Sequence, residues 1–90
     1  MDNFKYEGIE LQRTCGACPE QYDAYFDYGD DEGPQLVGYL RMRHGQFTVE
    51  VPYVGGKLVF ISHTRGDGTF EVEEREHFLT VACKAIKDEL

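Results

Sequence analysis

Three features of the sequence predict an α+β protein, built as an antiparallel five-strand β-meander sheet with one C-terminal helix packed on one face. Apolar and polar residues alternate with period 2 over the first two thirds of the chain, turn residues punctuate those runs, and the last stretch changes to a 3.6-residue apolar period. Strands are expected at about 4–13, 21–28, 35–43, 46–53 and 57–64. The connections are residues 14–20, Gly29-Asp30-Asp31-Glu32-Gly33-Pro34, His44-Gly45 and a turn centred on Gly55-Gly56, each short enough for an antiparallel hairpin. His44-Gly45 suits a two-residue turn, because Gly costs nothing at positive φ and His tolerates it better than most side chains. Beyond Arg65-Gly66-Asp67-Gly68-Thr69, the residues Phe78, Leu79, Ala82, Cys83, Ile86 and Leu90 recur at spacings of 3 and 4. Glu73, Glu74, Glu76, Lys84, Lys87 and Glu89 mostly fill the opposite side. This is an amphipathic helix over about 71–88, with early glutamates and late lysines that suit the helix dipole. The tripeptide Arg65-Gly66-Asp67 is read as a turn.

With His44-Gly45 as the turn, Arg43 pairs with Gln46, Met42 with Phe47, Arg41 with Thr48 and Leu40 with Val49. One face then carries Phe26, Leu36, Leu40, Met42, Phe47, Val49, Val51, Leu58 and Phe60, and it takes the helix. The other carries Asp23, Tyr25, Asp27, Val37, Tyr39, Arg41, Arg43, Thr48, Glu50, Val59, Ile61 and His63. One helix cannot cover both sides, so this second face is expected to be free. On it, Tyr25 and Tyr39 are expected to be cross-strand neighbours, Ile61 to lie beside Glu50, and His63 to share a row with Thr48, Arg41 and Asp23.

Ninety residues suit one domain, residues 1–90. An apolar fraction of 41% with six Tyr and six Phe argues for a folded globule rather than disorder. No leader pattern and no apolar run of about 20 residues is visible, and three cysteines make an odd number, so a soluble cytoplasmic protein is expected. The net charge of -8 is uneven: nine acids face two bases in residues 1–34, two face four in 35–70, and six face three in 71–90. Phosphate-backbone binding draws on clustered Lys and Arg, which argues against nucleic acid as a direct partner and for a protein partner with a basic surface.

The motifs that carry chemistry are few. Cys15-Gly16-Ala17-Cys18 has the spacing of a metal clamp or a redox pair, but it joins two antiparallel strands instead of opening a helix in a βαβ unit, so it is read as a turn. Zinc on Cys15 and Cys18 is the alternative, with further ligands to come from His44, His63, His77 or Cys83. The acidic tip Asp27-Tyr28-Gly29-Asp30-Asp31-Glu32 lacks EF-hand spacing and is read as a solvated turn in preference to a Ca²⁺ or Mg²⁺ site. Ser62 has no glycine elbow around it, and neither Gly55-Gly56 nor Gly66-Asp67-Gly68 has the lysine and hydroxyl of a phosphate loop. No catalytic residue and no cofactor is expected.

Taken together, Cys15-Gly16-Ala17-Cys18-Pro19-Glu20-Gln21-Tyr22-Asp23, Gly38-Tyr39-Leu40-Arg41-Met42-Arg43-His44-Gly45 and Gly66-Asp67-Gly68-Thr69-Phe70 resemble a family of short proteins that recur in bacterial, prophage and phage genomes. The resemblance runs over most of the chain and brings no activity or catalytic residue with it. It implies a bacterial or phage cytoplasmic origin and, by analogy, a small binder of a host protein. The expectation is therefore a non-enzymatic acidic binding module, a phage-encoded inhibitor of a host defence or nucleic-acid-handling protein. Its binding residues are Tyr25, Tyr39, Arg41, Arg43, Glu50, Ile61 and His63, and a second copy of the chain is an alternative occupant. Two other classes stay open: a zinc or thiol protein working through Cys15 and Cys18, and a small-anion or nucleotide site on Arg41, Arg43 and His63.

Overall fold

Alternating side chains leave each strand half apolar, so successive strands pair in order and present one continuous apolar surface. The computed structural model describes residues 3–14 and 20–90. It contains β1 (Asn3–Tyr6), β2 (Ile9–Arg13), β3 (Glu20–Asp27), β4 (Pro34–Arg43), β5 (Gln46–Val51), β6 (Lys57–His63) and α1 (Val72–Asp88). All strand pairs are antiparallel, and the sheet order follows the sequence from β1 to β6. Helix α1 packs on one face. No helix among the described residues is long and apolar enough to cross a membrane.

Among the described residues the sheet has six strands, not five, because the run expected as one strand over 4–13 folds back on itself. Tyr6 pairs with Ile9 across Glu7-Gly8, whose φ angles are 54° and 80°. The expected His44-Gly45 turn has the same build, with φ of 54° and 71°. Two residues at positive φ make the tight turn that matches strand twist. Glutamate rarely adopts that conformation, so Glu7 does not announce it. The pairings expected between β4 and β5, from Leu40–Val49 to Arg43–Gln46, are all present.

The core lies between α1 and the sheet. Leu40, Met42, Phe47 and Val49 are fully buried against Leu79, Ala82, Cys83 and Ile86. Phe47 sits at its centre, with the rings of Phe70, Phe60 and Phe78 at 5.0, 6.0 and 6.0 Å in edge-on contact. Gly38 lets the helix come close: a Cβ there would lie 2.7 Å from Ile86 Cδ1.

Two β-bulges correct the face assignment. Between Ala24↔Gly38 and Tyr25↔Leu36, β4 holds one extra residue, Val37; between Val49↔Phe60 and Glu50↔Leu58, β6 holds one extra residue, Val59. An extra residue reverses the facing of the strand beyond it. Leu36 and Leu58, expected in the core, are therefore 40% and 49% exposed on the open face. Val37, expected to be free, is 6% exposed in the core, and Val59 packs against that core.

The helix ends also differ from expectation at two residues. Leu90 falls beyond the last helical residue and is exposed. Glu74, expected on the polar side, is buried. Its carboxylate accepts the backbone N–H groups of Glu71 at 2.9 Å and of Arg65 and Gly66 at 3.0 Å each, completing a capping box and tying the preceding loop to the first turn.

Candidate functional site

The face opposite α1 is laid out in rows that the strand register fixes. Nearest the β4–β5 turn, Arg43, Gln46 and His63 stand side by side; the next row is Gln21, Arg41, Thr48 and Ile61. Then come Gln12, Asp23, Tyr39, Glu50 and Leu58, and last Glu10, Tyr25 and Leu36. The face is thus polarised. Arginines and histidine occupy the turn end, while acids alternate with tyrosines and leucines at the other, where Lys5 of β1 pairs with Glu10.

This layout corrects three expected neighbours. Tyr39 pairs with Asp23, so Tyr25 stands one row away; Ile61 stands beside Thr48, not Glu50; and His63 lies in the Gln46 row, apart from Thr48, Arg41 and Asp23. Each residue keeps its expected face and moves one pair along, because the loop lengths did not reveal the pairing of β3 with β4 or of β5 with β6.

Over the centre of the face lies an open cavity of about 680 Å³. Of the expected binding residues, Tyr39, Arg41, Arg43, Glu50 and His63 line it together, whereas Tyr25 and Ile61 do not. His44, Gln46, Thr48, Val54 and Leu58 complete the lining. Thr48 was legible from its alternation with Glu50. Leu58 was hidden by the bulge at Val59, and Val54 by lying in a turn.

Local hydrogen bonds hold this surface in place. The Tyr39 hydroxyl donates to Gln21 Oε1 at 2.7 Å, and Arg43 Nε donates to His44 Nε2 at 3.2 Å. Burial raises the Tyr39 phenol above its ordinary value, Arg41 opposes that, and Asp23 and Glu50 reinforce it. Burial likewise raises the Asp23 carboxyl. Arg41 Nε is shut from water with no hydrogen-bond partner among the described residues. A buried donor left unpaired costs about 1–3 kcal/mol, and more when charged.

The other expected chemistry falls differently. Cys15 and Cys18 lie outside the described residues. Cys83 is buried in the core, where burial, helped by the negative charge of Glu7, pushes its thiol up to about 12. No group of three or more His, Cys, Asp or Glu among the described residues is placed to hold a metal. At the acidic tip, Asp27 Oδ1 accepts the Gly29 N–H at 2.8 Å and Asp30 Oδ1 accepts the Glu32 N–H at 3.1 Å, as in ordinary Asx turns. The Ser62 hydroxyl donates to the His63 carbonyl at 3.2 Å.

Sequence reasoning missed a buried polar cluster around Glu20. Its carboxylate accepts Arg75 Nε at 2.9 Å and Nη2 at 3.2 Å, the Phe70 N–H at 3.0 Å and the hydroxyl of the fully buried Tyr22. Arg13 Nη2 stands 4.0 Å away. Burial opposes the Glu20 charge, but the bonds from Arg75, Tyr22 and Phe70 outweigh it and hold the carboxyl below its ordinary value. Nothing near Glu20 in sequence signals this, since Arg75 is 55 positions away. The cluster locks the start of β3 to the start of α1, a structural duty.

Compared with known proteins, the chain matches no family model, no curated protein and no solved structure.

Proposed function

We propose that this chain is a small non-enzymatic protein-binding module that meets its partner through the open face of the sheet. The observation that carries this reading is the set of exposed apolar side chains on the uncovered side: Leu36 stands beside the half-buried Tyr25, Leu58 shares a row with the half-buried Tyr39 across Glu50, and Ile61 lies in the next row toward the turn. Tyrosines, apolar side chains and a nearby arginine are the composition of interface cores. Asp23, Glu50 and Glu10 flank the tyrosines, and the chain carries a net charge of -8, so a partner with a basic surface fits this end of the face. The resemblance to phage and prophage proteins favours a host protein as that partner, engaged by an inhibitor of host defence or of nucleic-acid handling.

Capture from a bacterial lysate, run in parallel on the unmodified chain and on Tyr25→Ala and Ile61→Asp variants, tests the reading. The expected result is a protein retained by the unmodified chain and lost by both variants, which should melt close to the unmodified temperature. A protein retained equally by all three, or nothing retained by a monomeric chain, overturns it.

A further inference from the structure

Three of the five arginines are committed to carboxylates: Arg13 and Arg75 lie 4.0 and 2.9 Å from Glu20, and Arg65 lies 3.3 Å from Glu73. Arg41 and Arg43 have no such partner among the described residues. In a chain with seventeen acids against nine bases, these are two neighbouring cations on one strand with no carboxylate beside them among the described residues, Arg43 Nε donating instead to His44 Nε2. They alternate along β4, which puts both on the open face about 7 Å apart. Gln46 stands opposite Arg43, Thr48 opposite Arg41 and His63 opposite Gln46, so five donor-bearing side chains gather at one end of the cavity.

We infer that this end of the face binds the phosphate of a small phosphorylated molecule. Two guanidinium forks, an amide, a hydroxyl and an imidazole offer more donors than the two oxygens of a carboxylate can take, whereas a phosphate monoester presents three oxygens and up to two charges. An acceptor at that point would also give Arg41 Nε, which has no partner, a reason to turn outward. From the Arg43 row to the Tyr39–Glu50–Leu58 row is four residues of strand, about 13 Å. That is the length of a mononucleotide, and 680 Å³ is within the usual range for a ligand pocket. At the far end Leu58 and Val54 supply apolar contact, and Glu50 repels a second anion while accepting from a hydroxyl or amine. The ligand is therefore anionic at one end and neutral at the other. The phosphate end of the site stands at the turn end of the face; its neutral end shares Tyr39, Glu50 and Leu58 with the protein-binding reading, whose Tyr25 and Ile61 lie outside the cavity, so Arg43→Gln tests the one and Tyr25→Ala the other.

Isothermal titration calorimetry of the full chain at one fixed ionic strength tests it, with adenosine monophosphate, adenosine, inorganic phosphate and a phosphoserine tetrapeptide as probes. Adenosine monophosphate should bind, phosphate should bind more weakly, and adenosine should give no heat. Arg41→Gln and, at an exposed position, Arg43→Gln, each checked by thermal melt, should weaken adenosine monophosphate about tenfold or more, while Tyr25→Ala leaves it unchanged. No heat from adenosine monophosphate, binding that ignores both arginine variants, or preference for the phosphopeptide each overturns the assignment.

Discussion

On the covered face of the sheet, Leu40, Met42, Phe47 and Val49 are wholly shut from water; on the open face, the residues that alternate with them, Tyr39, Arg41, Thr48 and Glu50, keep partial access to it. The same two strands supply both sets, so backbone and turn chemistry are shared and only the side chains differ. The contrast separates two tasks. The covered face is uniform, apolar and filled by α1, so its value lies in close packing. The open face is graded from arginines at the turn end to acids and tyrosines at the other, a pattern that packing does not require and that the proposed binding role would use. If that division is right, substitutions on the two faces should move different measurements.

The largest effect is expected at the centre of the covered face. Phe47→Ala removes a ring that touches three others, and it should cost about 3–5 kcal/mol in chemical denaturation, enough to leave much of a 90-residue chain unfolded. A loss below about 1 kcal/mol would mean that α1 does not cover this face.

Next comes the Glu20 cluster, which joins the sheet to the helix. Glu20→Gln should destabilise by about 2–4 kcal/mol, because Arg75 and the Tyr22 hydroxyl lose their charged acceptor. It should also change the acid response. The folded carboxyl titrates below the ordinary 4.5, so the unfolded chain binds more protons through that range. The Glu20 contribution is therefore complete above about pH 4.5 and is lost as pH falls through the lowered folded value. Denaturation measured from about pH 7 to pH 3 should show a shallower acid slope in Glu20→Gln. The slope that remains reports Glu74 in part, whose carboxyl is lowered in the same direction: burial opposes its charge, but the three backbone N–H bonds outweigh that.

How much of this contrast was legible beforehand depends on the range of the interaction. The β4–β5 register and the span of α1 follow from local rules, a two-residue turn and a 3.6-residue period, and the sequence shows both. The β1–β2 hairpin was hidden because its turn places a glutamate, Glu7, at positive φ. The bulges were hidden because Leu36-Val37 and Leu58-Val59 are pairs of adjacent apolar residues, and period 2 cannot say which member faces inward. The Glu20–Arg75 pair joins residues 55 apart, and no local pattern reaches that far. At the site, parity correctly put Tyr39, Arg41, Arg43, Glu50 and His63 on one face. Their row-by-row neighbours needed the pairing of β3 with β4 and of β5 with β6.

The bulge at Val37 sharpens the comparison, since it assigns neighbouring residues to opposite faces. Val37→Ser should cost about 2–3 kcal/mol, combining lost apolar burial with a hydroxyl placed in the core. Leu36→Ser serves as its control on the open face and, at 40% exposure, should cost no more than about 1 kcal/mol. Urea midpoints for the two variants decide it. The reverse order would restore an unbroken alternation along β4 and return Leu36 to the core.

A smaller loss of stability than at Phe47, Glu20 or Val37 is expected at Tyr39, where the open face should reveal itself by what is kept. The ring is partly buried, and its hydroxyl holds Gln21 Oε1, so Tyr39→Ala removes one hydrogen bond and a partial apolar contact, together about 1–2 kcal/mol. That is well short of the Phe47→Ala cost, although the tyrosine side chain is no smaller than the phenylalanine. Association should respond in the opposite sense. Tyr39 sits in the row shared by Asp23 and Glu50, at the junction of the acidic and basic halves of the face, so its removal should weaken partner capture while the domain stays folded. Thermal melts and capture assays on both variants separate the outcomes. If Tyr39→Ala proved as damaging to folding as Phe47→Ala, the tyrosine row would belong to the packing of the sheet, and recognition would have to be sought elsewhere on the molecule.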